Sequence, residues 1–67
     1  MVWLFEREGE RLQYEVRRAP DAAGYEIRIT FPDGRVQSDT VVEAADLLDR
    51  CAEVGQALKA DGWRAEP

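Results

Sequence analysis

Residues 25–31, "YEIRITF", alternate without a break: Tyr25, Ile27, Ile29 and Phe31 on one side of an extended chain, Glu26, Arg28 and Thr30 on the other. That is the period of a strand with one buried and one solvated face. Residues 10–18, "ERLQYEVRR", repeat the pattern, with Leu12, Tyr14 and Val16 apolar and Arg11, Gln13, Glu15 and Arg17 polar. Between them "APDAAG", 19–24, reads as a turn. Pairing Val16 with Ile27 sets Glu15 opposite Arg28 and Arg17 opposite Glu26. Pairing Val16 with Tyr25 would oppose Glu15 to Glu26, and like charges directly opposite are unfavourable, so the first register is expected.

Working toward the N-terminus, Glu8-Gly9 reads as a two-residue hairpin turn after a strand over 2–7. This sets Arg7 opposite Glu10, Phe5 opposite Leu12 and Trp3 opposite Tyr14. The run "VWLF", 2–5, is thereby divided: Trp3 and Phe5 join the apolar face, while Val2 and Leu4 lie among charged residues. Toward the C-terminus, "PDG", 32–34, is a second turn, followed by a short fourth strand over 35–38. A two-residue Asp33-Gly34 turn would place Val36 opposite Phe31 on the core face. The bulged turn that Pro32 favours would place Arg35 there instead.

Residues 41–60 have helical periodicity. Thr40 and Glu43 have capping-box spacing, with Asp39 a rival cap, and acidic residues crowd the N-terminal half. Val41, Ala44, Ala45, Leu47, Leu48, Cys51, Ala52, Val54, Gly55 and Leu58 span about half the circumference. Gly62 ends the helix, and Trp63 is placed to pack back on Leu58. The expected fold is α+β and a single domain over 1–67: an antiparallel meander of three to four strands followed by one C-terminal helix across one sheet face. The expected core is Trp3, Phe5, Leu12, Tyr14, Val16, Ile27, Ile29, Phe31, Leu48, Cys51, Gly55 and Leu58. Gly55 fits there if the helix approaches the sheet closely.

The residue inventory narrows the chemistry. There is no histidine and a single cysteine, Cys51, so neither an intrachain disulfide nor a Cys/His zinc site forms within one subunit. A nucleophile–histidine pair is equally impossible, and Cys51 reads as a small core residue. Glu43, Asp46, Asp49 and Glu53 share a helical surface, which reads as a solvated face with an Asp46–Arg50 contact, since catalytic carboxylates need a pocket. No apolar run approaches the roughly 18 residues of a membrane span. Basic residues are nearly all Arg, which suggests a GC-rich, bacterial genome.

A net charge of −5 opposes phosphate-backbone binding. Arg11, Arg17 and Arg28 on the polar sheet face are the candidate nucleic-acid contacts, yet Glu6, Glu15 and Glu26 interleave them and the aromatics point the other way. Sixty-seven residues give a marginal core, for which association is a common remedy. Val2 and Leu4, with Leu47 and Val54 on the helix shoulder, are the candidate protein interface, and a first strand at the sheet edge is a candidate for strand pairing. The expectation is a small, non-enzymatic cytoplasmic interaction module that self-associates as a homodimer, with a different protein as the second choice of partner. It needs no cofactor or metal. Single-stranded nucleic-acid binding is the alternative.

Overall fold

The computed structural model describes residues 1–20 and 23–66; Asp21 and Ala22, within the 19–24 turn, lie outside the described residues. The chain runs β1 (Val2–Arg7), β2 (Glu10–Arg18), β3 (Tyr25–Thr30), β4 (Val36–Val41), α1 (Ala44–Ala60) and β5 (Arg64–Ala65). The strands form one antiparallel sheet of order β4-β3-β2-β1-β5. One helix packs on one of its faces, making an α+β fold.

The charge argument finds the right pairing. Val16 lies opposite Ile27, Glu15 opposite Arg28 and Arg17 opposite Glu26. The Glu8-Gly9 hairpin pairs Trp3 with Tyr14 and Phe5 with Leu12, and both turn residues have positive φ, 52° and 83°, as a mirror-image turn requires. At the second hairpin the Gly34 N–H donates to the Phe31 carbonyl and the Phe31 N–H to the Arg35 carbonyl. This is the bulged turn. Arg35 therefore sits opposite Phe31, with its guanidinium 4.7 Å from the ring centre, and Val36 pairs with Thr30 on the bare face.

The start of the helix differs from expectation. Residues 39–41 continue β4, which is longer than the expected 35–38, and the helix begins at Ala44. Neither Thr40 nor Asp39 caps it. Glu43 occupies the cap position without a side-chain cap bond. Long-range packing overrides the local capping signal here: Val41 pairs with Tyr25 and is buried in the core. Gly24 permits the close approach of the chain at Val41 and Val42. A Cβ on Gly24 would clash with the Val41 carbonyl oxygen and the Val42 Cα.

The C-terminal end matches the sequence signal. Gly62 has φ 93°, its N–H donates to the Lys59 carbonyl, and the Trp63 N–H donates to the Leu58 carbonyl. This is the paired bonding of a glycine-closed helix end. Trp63 goes further than capping, being buried in the core beneath the Arg7 guanidinium, 4.3 Å from the ring centre. The chain then adds β5, a strand the sequence pattern does not announce.

Phe5, Leu12, Tyr14, Ile27, Ile29, Val41, Leu58 and Trp63 form the buried core, with Val16, Phe31, Leu47, Cys51 and Val54 half-buried against it. Three expected core residues, Trp3, Leu48 and Gly55, are not in it; Trp3 is 40% exposed and Leu48 73% exposed. The cause is the path of α1. Only Val42 and Glu43 separate it from the end of β4. At its other end, Asp61 accepts a hydrogen bond from Arg7 at the far end of β1. The helix thus crosses the sheet diagonally and leaves uncovered the corner that holds the start of β1. Gly55 is not a point of close approach either, since a Cβ there would meet nothing within 4 Å.

Candidate functional site

Three surfaces are left open by this packing: the bare face of the sheet, one of its edges, and a groove at the uncovered corner.

On the bare face, Val2 and Leu4 are exposed, at 52% and 39%. Leu47 and Val54, their expected companions, are half-buried against the core on the opposite layer. The structure does not bring the four together. Arg11, Arg17 and Arg28 all lie on the bare face as expected, and each has a carboxylate partner. Arg11 reaches Glu66 at 3.2 Å, Arg17 reaches Glu26 at 2.7 Å, and Arg28 lies 3.9 Å from the same Glu26. The face is a neutralised lattice rather than a positive groove. Between its charged rows runs the uncharged series Leu4, Gln13, Thr30 and Val36, successive partners across four strands.

The two sheet edges are unlike. β1 is not the outermost strand: β5 pairs Ala65 with Phe5 and Arg64 with Glu6, and the Glu66 N–H donates to the Leu4 carbonyl. Ion pairs of Arg64 with Glu6 and Arg11 with Glu66 tie this short strand down. The Glu6 carboxyl is held below its ordinary pKa by the Arg64 hydrogen bond first and the Gly9 N–H second. β4, by contrast, has no strand outside it among the described residues. Its backbone parity follows from the bulged turn. Phe31 and Arg35 are a hydrogen-bonded pair, so Gln37, Asp39 and Val41 direct their N–H and C=O groups to β3. Val36, Ser38 and Thr40 therefore direct theirs outward.

At the uncovered corner, Trp3, Phe5, Tyr14, Cys51 and Gly55 line an open apolar groove of about 160 Å³. The Trp3 and Tyr14 rings meet edge to face with centroids 5.1 Å apart. The Tyr14 hydroxyl is buried without a hydrogen-bond partner among the described residues. Burial first, and the neighbouring Cys51 thiol second, push its pKa up. No carboxylate or basic side chain lines the groove, whose only titratable groups are the Tyr14 hydroxyl and the Cys51 thiol.

The remaining carboxylates do not assemble into a site. Arg50 pairs with Asp39 and lies 3.9 Å from Glu53, instead of making the expected contact with Asp46, because the extended β4 carries Asp39 to the helix side. Among the described residues no group of three His, Cys, Asp or Glu is placed to hold a metal ion, and no helix is long and apolar enough to cross a membrane.

Sequence reasoning missed the β4 edge and the uncovered corner at Trp3. The edge had a usable signal in Pro32, which favours the bulged turn and so fixes the parity of Val36, Ser38 and Thr40. The corner had none, because it depends on the direction in which the helix crosses. Comparisons with protein-family models, with curated proteins and with solved structures find no match.

Proposed function

We propose that this chain is a small, non-enzymatic, cytoplasmic interaction module that works as a homodimer. The observation that supports the reading is the unequal treatment of the two edges. A six-residue strand with unpaired backbone groups is a template for another strand. Natural sheets blunt such edges with Pro, Lys, short strands or a covering segment. β5 does this beside β1. Among the described residues nothing of the kind protects β4, whose sequence "VQSDTV" has no Pro, no Lys and one charge, itself paired with Arg50. The absence of histidine and the lack of charged groups in the apolar groove are consistent with a role in binding rather than catalysis.

Light-scattering mass measured from low to high micromolar concentration tests the reading. A mass that rises to twice 7.6 kDa is the expected result. A monomer throughout that range overturns it.

A further inference from the structure

We infer that two copies pair through β4, antiparallel and about a twofold axis at Ser38, joining two five-stranded sheets into one. This rests on the self-association proposed above and adds its geometry.

Three constraints select that axis. The first is parity. Only Val36, Ser38 and Thr40 offer outward N–H and C=O groups, so a hydrogen-bonded pairing must match these residues with one another. The second is length. An axis at Gln37 satisfies parity but pairs only Val36–Ser38 within β4, whereas an axis at Ser38 pairs Val36–Thr40. The third is charge. An axis at Asp39 is equally long but sets Asp39 opposite its own copy, an unfavourable like-charge pair.

With the axis at Ser38, Asp39 faces the second copy's Gln37, Ser38 faces Ser38, and Val36 faces Thr40. Each opposed pair is free of like charge, and the β-branched Val36–Thr40 pair suits a pleated surface. Val36 is 55% exposed in the single chain, and this pairing gives it a neighbour on the bare face. An isologous interface of this kind closes on itself as a dimer and leaves no further β4 edge to extend.

Single-cysteine cross-linking tests the register, using the full chain with Cys51→Ala so that no other thiol is present. Directly opposed residues in a bonded antiparallel pair have Cα atoms about 5.5 Å apart, inside the roughly 4.4–6.8 Å that a disulfide spans. Ser38→Cys is therefore expected to oxidise to a covalent dimer. Thr40→Cys lies two residues from the axis on each chain, about 13 Å from its own copy along the strand, and is expected to stay uncross-linked alone. Mixed with Val36→Cys, it should give a heterodimer.

Light-scattering mass on the reduced proteins separates the two claims. A dimeric mass without cross-linking at Ser38→Cys, or with equal cross-linking at Thr40→Cys, overturns the β4 geometry and leaves self-association standing. A monomeric mass overturns both. Ser38→Pro supplies an independent arm, because it removes an outward N–H and no bond to β3. It should lower the association constant at least tenfold while circular dichroism stays that of the folded chain, and an unchanged association constant overturns the inference.

Discussion

The two long edges of this sheet face the same hazard and meet it in opposite ways. On the β1 side the chain returns after the helix, buries Trp63, and lays Arg64–Ala65 along the strand. On the β4 side it departs straight into the helix after Val42 and Glu43, and no other strand among the described residues lies outside β4. The difference lies in where the helix ends. α1 starts at β4, crosses diagonally and ends beside β1, so Arg64–Glu66, which follow it, run along β1. An antiparallel meander with one crossing helix covers one edge for this reason, and among the described residues the other edge has no strand beside it.

The largest expected effect comes from breaking the closed edge. Trp63→Ala removes a fully packed indole and the anchor of β5, at a cost of about 3–5 kcal/mol. Domains of this size have roughly 3–10 kcal/mol in total. Urea denaturation should show a chain near the limit of folding, and an unchanged midpoint would mean that β5 needs no anchor.

A pair of proline substitutions on β4 sharpens the contrast between inward and outward residues. Asp39→Pro deletes a ladder bond to Ile27 and strands a carbonyl, at about 3 kcal/mol. Ser38→Pro deletes only an outward N–H and should cost roughly 1 kcal/mol. Equal losses would refute the parity derived from the bulged turn. Thr40→Lys is gentler still. It brings the kind of charge that protects natural edges, so thermal unfolding of the monomer should change by about 0.5 kcal/mol or less while the concentration dependence of the mass disappears.

The smallest effect belongs to the closed edge again. The Glu6 carboxyl titrates below its ordinary value because Arg64 and the Gly9 N–H favour its charged form. Its contribution to stability is present above the ordinary carboxylate pKa and fades as pH falls through the depressed one. Arg64→Ala should return the Glu6 titration, followed by NMR, toward the ordinary value. An unmoved curve would leave Gly9 as the main cause.

The sequence reveals local relationships in this molecule and hides those between layers. The registers of β1, β2 and β3 were readable because alternation and charge opposition are properties of neighbouring strands. The helix C-terminus was readable because Gly62 and Trp63 act within one turn. The helix N-terminus was misread, since Thr40 and Glu43 have the spacing of a cap while Val41 is claimed by Tyr25 and Gly24 from another part of the chain. Trp3 and Leu48 have core-like patterns, but the diagonal helix leaves Trp3 uncovered and carries its own Leu48 on an exposed side. The candidate interface suffered the same way: Leu47 and Val54 are turned inward, and β4 stands outermost in place of β1.

The chain has two indoles, one for each situation. Trp63 is 2% exposed at the closed edge and Trp3 is 40% exposed at the uncovered corner. Excited by ultraviolet light, the unmodified protein should therefore emit from two populations, a blue-shifted one shielded from acrylamide and a red-shifted one that acrylamide quenches. Fraying of the closed edge should redden and expose the first without touching the second, which makes the protein its own optical gauge of which part opens first.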